Sequence, residues 1–404
     1  MTEADLIYDW NRQHGPVAWP AEPEVLDLTL WEAGHCPEAL QPSLADRIDL
    51  LHRMGELGIN AACVGSAATT AWPEALALLS EWADSRLTVR PACLCQPERE
   101  QLDRVLEAAQ GVSVLLEAGV SPLEEWKGRQ HLLHRLEVLR ECALYASGHG
   151  LTVTVLCPDV AQAPPDFLIA LWSTAIQAGA SRLALVDSTG FATPPGAARL
   201  VQFAREVVRR LGREVGLDWH GYNDRGLALA NALTALEAGA QRVHASALGL
   251  AERAGCVPLD LLLVNLRLLG AVDRPMEALA GYCQQVAAAC KVDVLPNYPV
   301  LGQDAFRTGT GVHAAAIVKA ERKGFSALAD LIYSGVPAGM FGFEQVIEVG
   351  PMAGESNVLF WLRKQGLEPT PERVEAIMGL AKSSDHVLTD REIREALGEP
   401  VVTP

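Results

Sequence analysis

A carboxylate at Glu32 and an imidazole at His220 are the two side chains whose types and placement best suit shared chemistry in this chain. Held side by side, they could bind a divalent cation and leave coordination positions open for a bidentate ligand, or they could form a hydrogen-bonded polar rim. Other reactive types fall in or just after short apolar runs: Cys63, Cys93, Cys95, Asp159, Asp187, Tyr222 and His244. His244 reads as a buried, hydrogen-bonded histidine, with a substitute ligand as the other reading. Cys63, Cys93, Cys95, Cys157 and Cys256 read either as small apolar fillers or as soft metal ligands. Cys93-x-Cys95 puts two thiols on one strand face, but no C-x-x-C pair accompanies it.

Such residues can meet only on a scaffold that gathers the ends of many strands. Apolar or β-branched runs at 25–29, 60–64, 88–93, 112–117, 152–156, 183–186, 216–220 and 242–245 alternate with helical periodicity. Ser43 with Asp46 opens one helix, with Leu44, Ile48, Leu51 and Leu57 on its apolar side. Leu227, Ala230, Leu233 and Leu236 line another, which closes at Gly239. Eight strands, each followed by a helix, predict an α/β fold, a (β/α)8 TIM barrel over 24–270, rather than a doubly wound sheet. Function in such a barrel lies at the C-terminal strand ends, which places Glu32 and His220 on near-neighbouring strands. Residues 1–23 read as an N-terminal arm and 271–404 as small, mainly helical C-terminal subdomains. Within the latter, 295–306 reads as an irregular loop, and Thr389-x-x-Glu392 as a capping box.

Composition narrows the classes of function. The 404 residues are 49% hydrophobic and 21% charged, with 33 Lys and Arg against 50 Asp and Glu, a net charge of −17. That balance argues against nucleic acid or an anionic membrane as the main partner, while leaving room for a small basic pocket. No apolar stretch is long enough to span a bilayer, and the opening Met-Thr-Glu-Ala-Asp has no leader pattern. Nine scattered cysteines point to a reducing, cytoplasmic location.

Six motifs, in order, carry a resemblance. His220-Gly-Tyr-Asn-Asp-Arg-Gly-Leu-Ala-Leu-Ala-Asn231 resembles the H-x-H-N-D-x-G-L-A-x-A-N signature of the homocitrate synthase and 2-isopropylmalate synthase family, within the DRE-TIM metallolyases. Gly249-Leu-Ala-Glu-Arg-Ala-Gly-Cys256 is similar to G-x-G-E-R-A-G-N, Asp27-Leu-Thr-Leu-Trp-Glu32 to D-x-T-L-R-[DE], and Asp187-Ser-Thr-Gly-Phe-Ala-Thr-Pro194 to D-T-x-G-x-x-x-P. Pro296-Asn-Tyr-Pro-Val-Leu-Gly302 and Phe306 through Thr310-Gly-Val-His313 resemble P-x-x-P-x-x-G and F…S-G-I-H. The resemblance implies a Claisen-type condensation of acetyl-CoA, or another acyl-CoA, with a 2-oxo acid, followed by thioester hydrolysis. It implies a divalent metal ion (Mg, Mn or Zn) held by Glu32, His220 and the residue at position 222. By the same resemblance His313 and Tyr333 would be catalytic residues of acyl-CoA enolisation, and Trp31, Ser188, Asn223 and Glu252 would border the substrate. A homodimer is implied, with His313 reaching a partner's barrel. The length resembles homocitrate synthases, without room for the large regulatory domain of 2-isopropylmalate synthases.

The departures fall on the chemistry. Trp31 stands where the family has Arg, Tyr222 replaces the second His, Pro158 occupies the place of a strand-five Glu, and Cys63 and Cys256 replace a Glu and an Asn. An indole supplies one N–H and no charge, and a neutral phenol is a poor ligand near pH 7. Three readings follow. The chain is an acyltransferase of the type that converts acyl groups into alkyl on transfer, with altered substrate or metal use; a non-catalytic homologue that binds an organic acid or protein partner; or a carbon–carbon lyase or aldolase.

Overall fold

Eight strands alternate with helices and close on themselves in a computed structural model that describes residues 10–12, 22–118, 121 and 129–400. Of the arm expected over 1–23, all but 10–12 and 22–23 lies outside the described residues. The strands are Glu24–Asp27 (β1), Ala61–Ser66 (β2), Arg90–Cys95 (β3), Ser113–Glu117 (β4), Thr152–Cys157 (β5), Arg182–Asp187 (β6), Gly216–Gly221 (β7) and Arg242–Ala245 (β8). They run parallel in sequence order, and β8 pairs back onto β1. Both faces of these strands are covered, so they carry near-continuous apolar runs rather than alternation: every residue of β2 and β8 is buried. The (β/α)8 expectation is met.

The helices show why the chain turns where it does. Leu44–Glu56 begins with a reciprocal Ser43–Asp46 capping box and buries Leu50, Leu51 and Met54. Pro194–Arg210 buries Ala197, Val201, Ala204 and Val207, an inward stripe at helical spacing. β1 is shorter than its apolar run. The Asp27 carboxylate accepts the Thr29 backbone N–H at 2.7 Å, and Trp31 and Glu32 N–H groups both return to the Leu28 carbonyl. The chain therefore turns into a one-turn helix, Thr29–Glu32, instead of continuing as strand through residue 29.

Two compact units result. The barrel unit extends to Arg274 and takes in Gly281–Asp293, including most of the helix Ala278–Cys290. From it the Tyr282 hydroxyl donates to Asp27 at 2.7 Å, tying that buried carboxylate down from its other oxygen. The second unit comprises Val294 onward with Pro275–Ala280. Residues 295–306 are turns and irregular chain. A two-stranded parallel pair, Arg307–Thr308 with Val346–Ile347, lies near the helix Gly311–Arg322 in sequence and fold. Helices Glu355–Lys364, Pro371–Ser383 and Asp390–Ala396 share a core of Val358, Trp361, Leu362, Ile377 and Ile393. The Thr389–Glu392 capping box opens the last of them. Among the described residues no helix is long and apolar enough to cross a membrane.

Candidate active site

Glu32, His220 and Tyr222 meet at the C-terminal mouth of the barrel. The helix Thr29–Glu32 brings Glu32 in after β1, and the end of β7 brings His220 and, two residues on, Tyr222. His220 pairs in register with His244 of β8, the strand between β7 and β1. The Tyr222 hydroxyl lies 3.5 and 3.4 Å from the two Glu32 carboxylate oxygens, donating a long hydrogen bond. Its ring stacks on His220, centroids 5.4 Å apart and planes 14° apart. The Arg253 guanidinium sits 4.8 Å from the Tyr222 ring centroid. Arg253 is held there by Asp224 at 2.8 Å and by the Ser188 carbonyl at 2.6 Å.

Two glycines make this arrangement possible. Gly255 has φ +85°, and a Cβ on it would lie 2.1 Å from the Gly249 carbonyl oxygen, so only glycine closes the turn that carries Arg253. Gly190 has φ +58°, and its Cβ would meet the Tyr222 carbonyl oxygen at 2.7 Å and the Asp224 nitrogen at 2.9 Å. Gly190 lets the loops after β6 and β7 press together, and Gly255 lets the segment after β8 fold back on itself.

Burial sets the charge states. It raises the Glu32 pKa to about 7, against the Tyr222 hydrogen bond; Glu252 adds to the rise and Arg253 opposes it. Burial, then the neighbouring His244, lowers His220 to about 3, which keeps the ring neutral. Among the described residues, neither His220 nitrogen, nor His244 Nδ1, has a hydrogen-bond partner. Burial and the Glu32 charge push the Tyr222 phenol well above its ordinary value. Deeper in the barrel, Asp218 accepts from Arg182 Nε at 2.6 Å, Arg242 Nε at 2.8 Å and His244 Nε2 at 2.9 Å. Burial works to raise Asp218, but Arg242, His244 and Arg182 together hold it below the usual carboxylate range.

Glu32, His220, Tyr222, His244 and Arg253 border a cavity of about 610 Å³. Its apolar wall includes Leu28, Trp31, Leu94, Leu115, Leu156 and Val186, and acidic groups Glu32, Glu117, Asp159 and Glu252 reach it. Ser188 and Glu252 border it; Asn223 does not, and its side-chain oxygen accepts the N–H of Ala228, the first residue of the following helix, at 3.2 Å. His313 and Tyr333 come together in the second unit, rings stacked at 3.9 Å, and are not among the cavity-lining residues. Cys63 and Cys95 are buried thiols pushed up to about 12 by burial, as are Cys157 and Cys256, and burial also holds Cys93 well above its ordinary value. The filler reading describes them. Sequence reasoning did not single out the Gln96–Glu117 and Ser121–Asp159 hydrogen bonds, nor His131 and Arg135, all at the cavity. The spacing of His131 and Arg135, four apart on one helix, was the available signal.

A divalent cation can be tested against these donors. Among the described residues no three His, Cys, Asp or Glu side chains gather to hold a metal. Glu32 and His220 supply two donors. The third position is a neutral phenol already directed at Glu32, and the Cys256 thiol, beside it, shares a hydrogen with Ser246 at 3.2 Å. Catalytic metal sites of this kind use three protein ligands, and this donor set does not fit one.

A closed parallel barrel with its reactive groups at the C-terminal mouth is the class of protein these features define. Residues 22–282 match the HMGL-like family model, and the chain belongs to that family. It is 28% identical over 386 residues to the homocitrate synthase AksA of Methanopyrus kandleri, covering 93% of this chain and 90% of that protein. It is 27% identical to a homocitrate synthase of Pyrococcus horikoshii, over 92% of this chain and 98% of the relative. The hydroxymethylglutaryl-CoA lyase of Pseudomonas aeruginosa shares the fold, with a TM-score of 0.54 at 21% identity over 66% of this chain and 92% of that one.

Proposed function

We propose that the chain is a homocitrate-synthase-like acyltransferase that condenses acetyl-CoA, or another acyl-CoA, with a 2-oxo acid whose side chain is apolar. The observation that carries the reading is the cavity at the strand ends, where an apolar wall headed by Trp31 faces the Glu32–Tyr222–His220 group. Near-full-length similarity to homocitrate synthases supports the reaction class. The lining bears on the acceptor: Trp31, Leu94 and Leu156 suit an apolar tail, and Arg253 and Arg135 at the same cavity suit the single carboxylate of the oxo acid.

In that reaction the α-carbon of the acyl-CoA loses a proton and attacks the carbonyl carbon of the oxo acid. The new oxygen takes a proton, and water then releases the CoA thiol. Glu32, poised near 7, can hold or give a proton at neutral pH, and the Tyr222 hydroxyl is a neutral donor beside it. Stacked His313 and Tyr333 serve the acyl-CoA side, and the protein works as a homodimer in a reducing cytoplasm, where nine free thiols persist. Incubation with 13C-labelled acetyl-CoA and a panel of 2-oxo acids tests the reading: mass spectrometry should find a labelled 2-hydroxy-diacid adduct. A second reading, a barrel that binds an organic acid without turnover, is favoured by one observation, the loss of the Arg charge at Trp31. Tight acid binding with no labelled adduct would establish it.

A further inference from the structure

Three buried imidazole nitrogens at the cavity have no partner among the described residues: both of His220 and Nδ1 of His244. The two residues are 6% and 0% exposed, their ring centroids lie 5.4 Å apart, and both border the cavity. Buried polar groups are nearly always paired, and leaving one unpaired is costly, so orphans grouped at a cavity mark where a ligand's polar atoms belong. His244 is also oriented. Its Nε2 is fixed on Asp218 at 2.9 Å, and Asp218 is in turn fixed by Arg182 and Arg242, which leaves Nδ1 as the nitrogen for a further partner. His220 is held differently, by stacking on Tyr222, whose ring centroid also lies 4.8 Å from the Arg253 guanidinium.

The same geometry disfavours a cation. The Tyr222 hydroxyl that could complete a ligand set is turned to Glu32, and Cys256, bridged to Tyr222 through the backbone, is paired with Ser246. We propose that this cavity takes its ligand without a divalent cation, and that His220 donates a ring N–H directly to the ligand's oxygens, while His244 Nδ1, left an acceptor by the Nε2–H given to Asp218, takes the hydroxyl hydrogen of a 2-hydroxy-acid product. One imidazole donor and one imidazole acceptor then stand where the ligand set is too poor for a metal. The inference rests on reading the cavity as an organic-acid site, and it names His220 as the group that donates to the acid's oxygens.

The test uses the full chain, stripped with EDTA, in two arms. In the first, Mn2+ is titrated and the free ion followed by electron paramagnetic resonance. Wild-type protein should bind Mn2+ no more tightly than on the order of 1 mM, and Tyr222→His should bind it at least about tenfold more tightly. Micromolar binding by the wild type would overturn the proposal, and unchanged binding in Tyr222→His would overturn the role given to Tyr222. In the second arm, calorimetry measures 2-oxoisovalerate, 2-oxo-4-methylpentanoate and phenylpyruvate with EDTA or with Mn2+. Equal affinity in both media, weakened about tenfold in His220→Phe, which keeps the ring stack but removes the nitrogens, is the expected result. Circular dichroism and His244→Asn guard against misfolding as the cause. Binding that requires Mn2+, or that is undiminished in His220→Phe, would overturn the proposal. No binding of any acid in either medium would sink the organic-acid reading and the histidine assignment with it, while the Mn2+ arm still decides the cation separately.

Discussion

The Tyr222 hydroxyl bridges toward both oxygens of Glu32 at 3.5 and 3.4 Å while its ring lies over His220, so one side chain joins an acid and a base whose pKa values burial has moved in opposite directions. Glu32 binds its proton more tightly in the fold than at its ordinary 4.5, and His220 binds its proton less tightly than at its ordinary 6.5. Between those two values the effects on stability oppose each other. As pH falls through this window, folding gains from Glu32 and loses from His220, at a limiting slope of about 1.4 kcal/mol per pH unit for each.

Single substitutions should therefore separate the slopes. Glu32→Gln should lose stability relative to wild type as pH falls from about 6.5, and His220→Asn should gain relative to wild type as pH falls from about 7 toward 4.5. The groups facing this pair, Glu252, Arg253 and His35 around Glu32 and His244 beside His220, are common to all three proteins. Urea unfolding at half-unit pH steps gives the comparison. Three parallel stability–pH curves would contradict the electrostatic account.

Asp218 is the buried charge on which the barrel interior depends. Asp218→Asn leaves Arg242, 8% exposed at its side chain, and Arg182, at 18%, without their shared counter-ion. The expected destabilisation is about 3–5 kcal/mol in denaturant unfolding. A loss below about 1 kcal/mol would mean that the cluster contributes no more than a surface pair.

Gly255→Ala should cost stability and also disturb the mouth, because the added methyl carbon would sit 2.1 Å from the Gly249 carbonyl oxygen at a φ of +85°. The backbone must shift, at about 1–3 kcal/mol, and Arg253, two residues earlier, must move from the Tyr222 ring. Thermal unfolding and Tyr222 side-chain NMR shifts check both effects. Unchanged shifts would separate the turn from the site.

Most of the barrel was legible because each strand is a short apolar run followed by a periodic helix, a local pattern that the fold reads directly. The boundary of β1 was not, since the turn at Thr29 is made by the Asp27 side chain rather than by any change in hydropathy. Glu32, His220 and Tyr222 could be named from motif order, but their hydrogen bonding could not. The Tyr222–Glu32 contact spans 190 residues, and the Asp218–Arg242–His244 cluster forms only when β7 and β8 pair. Burial of both histidines, which decides that they are neutral, is likewise a property of the closed sheet. Asn223 illustrates the reverse case: its place in a recognisable motif gave no sign that its side chain opens a helix.

Release of CoA thiol from acetyl-CoA, measured with a thiol reagent against a panel of 2-oxo acids, tests the central claim most directly. The account predicts release that depends on the oxo acid, is fastest with apolar side chains such as that of phenylpyruvate, which suit Trp31, Leu94 and Leu156, and with 2-oxoglutarate falls about 10²–10³ below the 1–10 per second usual for enzymes, since there the loss of an Arg charge at Trp31 adds to the mismatch of the side chain. Rapid turnover with 2-oxoglutarate, or thiol release that ignores the oxo acid altogether, would contradict it.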